Sequence, residues 1–473
     1  MQGQLTPSIT ALLPPWVAHQ RWYAGKGQVP VLRQIGGLRL DDPAAEVDID
    51  IHLLLDESGQ TPTTYQVPLT CRGARLAGAD HALVAIVDHA SLGTRYLYDA
   101  PHDPVFAGAL VRLILDEGTA ASDPEHRGGL AGGHRLATAD PGRLVASHVL
   151  SGEQSNTSMI LDLVDAHGAP SSPLICKLFR VLHHGQNPDV VVQSALAAAG
   201  STRVPRSVGY VCGQWPDTAA PDGVAQGHLA FAQEFLPGVE DAWRVALASV
   251  ASGADFSEQA YSLGQTTAQV HATLAQVMGT RDATGDDVVA LTASMRVRHA
   301  AARLEVPALA VYDAMVHASI EAVSSASWPA LQRIHGDYHL GQVLDAPGRG
   351  WVLVDFEGEP LRPLIERTAP DLALRDVAGM LRSFDYVAGS WQQAHPGRSA
   401  AQWAIGARTA FLEGYTRSAG RDPREDALLL NALELDKALY EVVYEARNRP
   451  TWLSIPTTAI ARLCASRRSD LRS

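Results

Sequence analysis

Lysine is almost missing from this sequence of 473 residues, because only three of its 38 basic residues are lysines and the others are arginines. Acidic residues number 51, and the resulting net charge of −13 argues against a nucleic-acid binder, which needs a basic face to replace phosphate counterions. If arginine can replace lysine at most surface positions, the remaining Lys26, Lys177 and Lys437 are candidates for roles that need a compact ammonium rather than a flat guanidinium.

Cysteines and long apolar runs are scarce as well. Cys71, Cys176, Cys212 and Cys464 lie far apart and form no CxxC pair, which suits a reducing compartment and offers no thiolate metal site. Charged residues and histidines interrupt the apolar runs before they reach the roughly 18 residues of a membrane helix. The N-terminus has no basic start followed by an apolar core, so we predict no signal peptide and a cytoplasmic protein. A chain with 46% hydrophobic and 19% charged residues is expected to be globular.

The first part of the sequence is predicted to be a small β-rich module. Alternating apolar and polar residues predict strands at 46–57, 63–72 and 81–90. A short helix is predicted from Pro104 to Glu117. The following stretch, 118–134, is rich in Gly and small residues, so we predict a flexible connection there.

A second β-rich part is predicted from about residue 143. Two strands joined by a polar turn are expected within 143–165, and further strands at 173–182 and 228–238. Beyond residue 240 the pattern becomes helical, most clearly at 260–277 and 423–448. Two short strands, within 334–344 and 350–360, interrupt this helical part.

The strongest functional signal is a pair of motifs on these two short strands, HGDYHLGQ (335–342) and VDFE (354–357). Asp337 and Asp355 are 18 residues apart, and Gln342 adds an amide oxygen. Oxygen ligands of this kind suit Mg²⁺, which shares its coordination sphere with phosphate and water. The set matches a phosphoryl-transfer site, in which Asp337 orients and deprotonates the attacking hydroxyl while Gln342 and Asp355 hold the metal.

The HGD triplet alone has two other interpretations. It is also found as a simple turn, and His335 and His339 have the HxxxH spacing of some zinc ligands. No HExxH helix and no third ligand is evident in the sequence, which disfavours zinc. The combination of both motifs at this spacing favours phosphoryl transfer.

The motifs resemble those of a known family. HGDYHLGQVL (335–344), VDFEGEP (354–360) and DVAGMLRSFDY (376–386) are similar to segments of the maltokinase-like branch of the aminoglycoside-phosphotransferase and protein-kinase-like superfamily. The resemblance spans nearly the whole chain, with further support from QRWYAGKG, QEFLPGVEDAW and KALYEVVYEARNRPTWLSIP. It implies a bacterial, cytosolic, ATP-dependent sugar kinase.

The resemblance also implies a fold. It is an α+β, bilobal protein-kinase-like fold with a β-rich N-lobe, a helical C-lobe, an N-terminal β-rich cap domain and ATP bound in the cleft. The expected divisions are a cap at 1–117, a linker at 118–135, the N-lobe at 136–238 and the C-lobe at 239–473.

Nucleotide-binding residues follow from the same resemblance. Lys177 fits the strand lysine that contacts the α- and β-phosphates as a point charge. The segment 150–158 would form the loop above the phosphates, and 233–235 would read the adenine edge through the backbone. The individual candidates are Gly152, Gln154, Ser155, Asn156, Gln233, Glu234 and Phe235.

One departure from the family concerns the partner of Lys177. The family usually carries a Glu in the helix after the lysine strand, but 187–196 contains none. Either Asp189 or Gln193 takes this role, or the lysine is held by ATP alone. The departure leaves room for a catalytically weak, kinase-like binding module.

The acceptor is predicted to bind on one face of the helix at 424–448. The polar residues of this face, at spacings of 3, 4, 3 and 4, are Glu434, Lys437, Glu441, Tyr444 and Asn448. A solvated surface is the ordinary explanation of such a stripe, but this one contains a rare lysine and leads to Trp452, which suits stacking on a sugar. His339 and Asp376 are further candidates. An ion pair of Arg375 with Asp376 that braces the catalytic loops is an open alternative for Asp376.

Two differences from the maltokinase pattern bear on the sugar. Leu372-Ala373 replaces a Ser-Pro pair, and Thr451 replaces an Asp. The carboxylates Asp337, Glu434, Glu441 and Glu445 would attract an ammonium group, and the family includes glucosamine kinases. We therefore predict phosphorylation of glucosamine at its 6-hydroxyl with ATP and Mg²⁺, and no nucleic-acid or membrane partner. Maltose phosphorylated at its anomeric hydroxyl is the alternative; an aminoglycoside-modifying enzyme would leave the cap module unexplained.

Overall fold

The computed structural model describes residues 5–6, 9–121, 129–150, 155–220, 222–360 and 362–470. The chain forms two units, one of Met1–Ser194 with Pro205–Pro237 and the other of Ala195–Val204 with Gly238–Ser473. Among the described residues, no helix has the length and apolar character needed to cross a membrane.

An antiparallel sheet forms the first part of the first unit. Its strands follow the order β1-β5-β6-β4-β3-β2 and are β1 (Leu5–Thr6), β2 (Leu32–Leu40), β3 (Val47–Asp56), β4 (Thr63–Arg72), β5 (Leu83–His89) and β6 (Gly93–Asp99). Helix α1 (Ile9–Ala18) precedes β2, and α2 (Pro104–Leu115) follows β6. Asp103 starts α2 because its carboxylate accepts the Val105 N–H at 3.0 Å and proline follows it. The three predicted strands and the helix are confirmed, with the helix ending two residues early.

A second antiparallel sheet follows in the order β7-β8-β13-β14-β11-β10-β9. Its strands are β7 (Thr119–Ala121), β8 (Leu130–Arg135), β9 (Arg143–Val149), β10 (Asn156–Val164), β11 (Leu174–Phe179), β13 (Ser207–Pro216) and β14 (Val224–Glu234). The short β12 (Val181–Leu182) pairs with β4 of the first sheet and is followed by α3 (Pro188–Ala198). Strand β13 was not predicted from the sequence.

The predicted flexible connection at 118–135 is wrong for both described parts of it. Residues 119–121 and 130–135 form β7 and β8 and pair with each other. The glycines there allow close packing rather than motion: a Cβ on Gly133 would lie only 1.8 Å from the carbonyl oxygen of Leu113 in α2. Glycine enrichment therefore marks a tight contact between helix and sheet.

The second unit is mainly helical. Its helices are α4 (Ala242–Ser252), α5 (Ser257–Met278), α6 (Gly285–Glu305), α7 (Asp313–Ser325), α8 (Leu364–Thr368), α9 (Leu374–Ala394), α10 (Ala401–Ala419), α11 (Ala427–Asn448) and α12 (Ser454–Asp470). Strands β15 (Glu240–Asp241), β18 (Val343–Ala346) and β19 (Gly350–Leu353) form one small sheet, and β16 (Thr280–Arg281) pairs with β17 (Leu331–Gln332). The predicted helices at 260–277 and 423–448 correspond to α5 and α11. The two predicted catalytic strands are shorter than expected, so both motifs lie in the loops that flank β18 and β19.

Candidate active site

A buried carboxylate fixes the loop that carries the HGD motif. Asp376, in the first turn of α9, accepts the N–H groups of His335 and Gly336 at 2.8 and 2.9 Å. The ring of His271 contacts the same carboxylate at 3.0 Å. Burial alone would raise the pKa of Asp376, but His271 and the backbone N–H groups lower it below its ordinary value. Gly336 has φ of +85°, a conformation that glycine adopts without strain.

Asp376 therefore supports the loop of the HGD motif and lies outside the cavity lining, so the structure does not place it with the other residues predicted to bind sugar. It also forms no pair with Arg375, whose guanidinium binds Asp371 and Asp436 instead. The bracing alternative was right for Asp376 but wrong about its partner.

We expect Asp376→Asn to lower the free energy of unfolding by about 2–3 kcal/mol, because an amide cannot accept from three donors and turns an N–H group toward one of them. Urea unfolding of the two proteins measures the loss. The KM for sugar should stay near the wild-type value while kcat falls, since the loop rather than a sugar contact is disturbed. A large rise in KM without a loss of stability would return Asp376 to the sugar site.

The second motif is tied to the first by short hydrogen bonds. The Nε2 atom of His335 lies 3.0 Å from the carbonyl oxygen of Val354, and its ring packs 4.6 Å from that of Phe356. The side-chain amide of Gln342 donates to Oδ2 of Asp355 at 2.9 Å. These contacts fix the relative positions of the two predicted metal-binding side chains.

Asp355 has φ of +67°, a left-handed conformation that is uncommon for a residue with a side chain. Such conformations persist where the surroundings impose them, and they cluster at functional sites. The donors that Asp355 and Gln342 provide are carboxylate and amide oxygens, which are ligands that Mg²⁺ prefers. The two residues therefore fit a magnesium site.

The histidines of the HGD motif do not fit a zinc site. His335 uses Nε2 toward Val354, and Nδ1 of His339 accepts the N–H of Gly341 at 3.0 Å. Neither ring belongs to a group of three metal-binding side chains within the described ranges. Burial lowers the pKa of His339, so its ring is neutral and carries its proton on Nε2.

Lys437 of α11 binds the carboxylate of Asp337. The Nζ–Oδ1 distance is 3.0 Å, and the same ammonium lies 2.7 Å from Oε1 of Glu359. Burial would lower the pKa of Lys437, but the two carboxylates raise it well above its ordinary value. The lysine is therefore charged, and it orients Asp337 at the edge of a cavity.

The cavity beside Asp337 has a volume of about 420 Å³. Aromatic rings form much of its wall, and those of Trp243 and Trp452 lie 6.5 Å apart at an angle of 28°. The guanidinium of Arg449 stacks on Trp452 at 4.6 Å. The lining residues are Trp243, Asp337, His339, Gly341, Pro360, Gly379, Ser383, Tyr386, Lys437, Tyr440, Glu441, Tyr444, Glu445, Arg449 and Trp452.

Two further carboxylates face this cavity from α11. Arg382 holds Oε2 of Glu441 with two N–H groups at 2.6 and 3.0 Å, so the other oxygen, Oε1, has no hydrogen-bond partner in the described part of the chain. Burial raises the pKa of Glu441, although Arg382 opposes this effect. Glu445 is held by Arg449 at 2.6 Å and by the hydroxyl of Tyr386 at 3.1 Å. Glu441 therefore has an oxygen available to a ligand.

The predicted acceptor residues are only partly brought together. His339, Lys437, Glu441, Tyr444 and Trp452 line the cavity with Asp337. The other two from α11, Glu434 and Asn448, lie outside the lining. Glu434 is buried and paired with Arg408 and Arg462 at 2.9 and 2.8 Å, whereas the amide of Asn448 donates to the Tyr444 carbonyl oxygen.

Some residues of this cavity were not predicted from the sequence. Trp243 and Tyr386 come from α4 and α9, and nothing in their local sequence indicates a common cavity. Glu359, within VDFEGEP, was not predicted to have a role of its own, yet it is 3% exposed and binds Lys437. The available signal was the third acidic residue within five positions, after Asp355 and Glu357.

The partner of Lys177 is Asp189. Their Nζ–Oδ2 distance is 2.8 Å, and Asp189 lies in the first turn of α3 and is 1% exposed. Gln193 instead donates to the side chain of Gln233. A carboxylate one methylene shorter than Glu thus reaches the lysine from the beginning of the helix, which removes the main reason to expect a catalytically weak module.

Two backbone N–H groups of the segment predicted to bind adenine, 233–235, already donate hydrogen bonds within the protein. The N–H groups of Glu234 and Phe235 donate to the carbonyl oxygens of Arg206 and Pro173, both at 2.9 Å. The next N–H, of Leu236, has no acceptor among the described residues. Gly152 and Gln154 lie outside the described residues, while Asn156 begins β10, directly after Ser155.

Comparisons with known proteins agree with these features. Residues 173–429 match the family model described as the phosphotransferase enzyme family, and residues 16–103 match the maltokinase N-terminal cap domain. A glucosamine kinase of Streptacidiphilus jiangxiensis is 33% identical over 298 residues, which are 59% of this chain and 65% of that protein. One of Mycolicibacterium smegmatis is 31% identical over 301 residues, 60% of this chain and 73% of that protein. The chain thus matches less than two thirds of the length of the first relative.

Solved structures show the same fold. A glucosamine kinase in complex with glucosamine, ADP and inorganic phosphate has a TM-score of 0.65 at 24% identity, covering 97% of this chain and 99% of that one. Another crystal form of a glucosamine kinase gives 0.68 at 23% identity, with coverage of 99% and 100%. The predicted α+β fold class, with a β-rich N-terminal part and a helical C-terminal part, is confirmed, and so is the family resemblance.

Proposed function

The chain belongs to the phosphotransferase enzyme family, and on that premise we propose that it transfers the γ-phosphate of ATP to the 6-hydroxyl of glucosamine. The observation that carries the proposal is the cavity in which Asp337, two tryptophans and Oε1 of Glu441 meet, an oxygen with no hydrogen-bond partner among the described residues. The names of the similar proteins, which are glucosamine kinases, support the same acceptor.

The cavity suits an amino sugar for three reasons. Trp452 and Trp243 offer flat surfaces for the C–H face of a pyranose. His339 offers an N–H group, and Tyr440 and Tyr444 offer hydroxyls for hydrogen bonds with sugar hydroxyls. Oε1 of Glu441 offers a charged acceptor for the ammonium of glucosamine, and that contact would offset the cost of burying this carboxylate.

In the proposed reaction the sugar oxygen forms a bond to the γ-phosphorus while the bond to the bridging oxygen of ADP breaks. Asp337 orients the hydroxyl and accepts its proton. Lys177, held by Asp189, would bind the α- and β-phosphates, and the Leu236 N–H would contact adenine in place of Glu234 and Phe235. Gln342 and Asp355 would hold Mg²⁺, which neutralises negative charge on the phosphates when it is bound.

Within the cell we propose a cytoplasmic location. No disulfide links the four cysteines, all of which lie in described segments. Unpaired thiols persist in a reducing compartment.

Glu441→Gln should separate glucosamine from neutral sugars. Losing the charge-assisted hydrogen bond is expected to lower kcat/KM for glucosamine by about 10- to 100-fold. The value for glucose, which lacks the ammonium, should change by less than about threefold. ADP release with each sugar measures both effects.

Glu434→Gln is the matched control, because Glu434 is a buried, arginine-paired carboxylate on the same helix but outside the cavity. It should leave the ratio of the two sugars unchanged. Equal losses for glucosamine and glucose in Glu441→Gln would contradict the ammonium contact. Maltose as the preferred wild-type substrate would favour the second candidate, maltose phosphorylated at its anomeric hydroxyl, which the cap-domain match supports.

A further inference from the structure

Asp337 is the first member of a series of eight neighbouring side chains in which acidic and basic groups alternate. Each member lies within 3.5 Å of the next, through contacts of 3.0, 2.7, 3.1, 3.5, 2.6, 3.2 and 2.5 Å. The members in order are Asp337, Lys437, Glu359, Arg362, Asp371, Arg375, Asp436 and Arg298. Each inner member of the series thus lies between two groups of opposite charge. The four acidic and four basic groups together are neutral.

The side chains of this series are mostly buried. Asp436 and Glu359 are 0% and 3% exposed, and the side chains of Arg375 and Arg362 are 11% and 13% exposed. Burying so many charges is costly unless each is paired, and removing one member leaves its neighbours uncompensated. We therefore expect the members of the series to be held in fixed positions. One end of the series is Asp337, the residue proposed to orient the acceptor.

Resting on the proposed function, we propose that Glu359 is a positioning residue that acts through Lys437. An ammonium has three protons. Asp337 and Glu359 take two of them, so the nitrogen is held from two sides and the third proton is left for the cavity that Lys437 lines. Glu359 thereby fixes the lysine against Asp337 and keeps that carboxylate in one orientation toward the sugar hydroxyl.

A single carboxylate on the ammonium would not suffice for this. Lys437 has a flexible stem, and without Glu359 the ammonium could follow any motion of Asp337. The ring of Tyr440, 4.9 Å from Nζ, restricts the lysine only weakly. Glu359 is therefore the group that gives the pair a fixed position.

Kinetics of Glu359→Gln give the first test. Because small misplacement of a reacting group is costly, kcat with glucosamine is expected to fall by about 10- to 100-fold, with the KM for ATP unchanged. Asp371→Asn, which changes the acidic residue two members after Glu359 in the series, is the control. Its loss of stability in thermal unfolding should be similar to that of Glu359→Gln, but its kcat should stay within about threefold of the wild type. Equal kcat for Glu359→Gln and the wild type, or equal losses in both variants, would overturn the inference.

The second test needs no sugar and exploits the rarity of lysine. In protein labelled with ¹³C and ¹⁵N only at lysine, three side-chain Cε–Nζ signals are expected, and Lys437→Met identifies one of them. Its ammonium protons should exchange slowly with water in the wild type. In Glu359→Gln the exchange should be at least about tenfold faster, since one of two charged acceptors is lost.

Unchanged exchange would overturn the inference whatever the sugar. If the wild type instead shows the expected exchange but releases no ADP with any sugar, the proposed function fails while the positioning of Lys437 by Glu359 stands. The two failures can therefore be told apart.

Discussion

Replacing Asp337 with Asn is expected to lower kcat for sugar phosphorylation by about 10²- to 10⁴-fold, the range for loss of a general base. Asn has the same shape and can still accept a hydrogen bond from Lys437, which lies 3.0 Å from the carboxylate. It cannot take a proton from the attacking hydroxyl. Steady-state ADP release measures the loss, and calorimetric titration with ADP should give a Kd within about twofold of the wild type.

The control for this variant is Asp345→Asn, a change of the same chemistry at an exposed residue of β18. It should keep kcat within about twofold. If Asp337→Asn turned over glucosamine at the wild-type rate, Asp337 would not be the base.

Asp355→Asn is expected to produce the second largest effect, a loss of about 10²- to 10³-fold in kcat at saturating magnesium. The loss is expected because Asn lacks the negative charge with which Asp355 is proposed to hold Mg²⁺. A change of backbone conformation is not expected. Asp355 has φ of +67°, and Asn tolerates this conformation well, whereas Ala would add strain. Asn can also accept the hydrogen bond from Gln342. The variant therefore changes the metal ligand with little change in structure.

A magnesium titration of activity measures the effect of Asp355→Asn, and the half-saturating concentration should rise by at least about tenfold. Gln342→Ala, which removes a neutral ligand, should show a smaller shift in the same direction. An unchanged magnesium dependence in Asp355→Asn would mean that the metal is held elsewhere.

Local patterns predicted three strands of the first sheet and the loops of the two motifs, because their signals lie within a few residues. Alternation in 46–57 and 63–72 gave β3 and β4, and HGD and VDFE gave the two loops. Glycines led to wrong predictions elsewhere. Gly133 in β8 and Gly209 in the missed β13 are positions where another backbone or side chain comes too close for a Cβ. Sequence alone cannot distinguish such close packing from flexibility.

The helix pattern predicted only in part which residues of α11 line the cavity. Glu434, Glu441 and Lys437 have the right spacing for one face of α11, but the other helices decide which of them meets the cavity. Glu434 faces Arg408 and Arg462, and Glu441 faces Arg382 on one side and the cavity on the other. Helical spacing does not tell a buried ion network from a ligand site, because both place polar groups on an inward face.

The three lysines have different roles. Lys177 binds Asp189, and Lys437 binds Asp337 and Glu359. Lys26 donates to the carbonyl oxygens of Gln20 and Arg21 at 2.6 and 3.0 Å. It therefore closes a turn of the first unit. The ammonium groups of Lys26 and Lys437 each contact two oxygens, and that of Lys177 contacts one at 2.8 Å. A compact ammonium makes such contacts more easily than a flat guanidinium does.

The proposed function is the phosphorylation of an amino sugar by ATP in the cavity beside Asp337. The most direct measurement is NMR of the product formed from ATP, magnesium and a mixture of glucosamine, glucose and maltose. The expected main product is glucosamine 6-phosphate, with a phosphorus coupling to its H6 protons. A coupling to the anomeric proton of maltose, or no phosphorylated sugar at all, would contradict it.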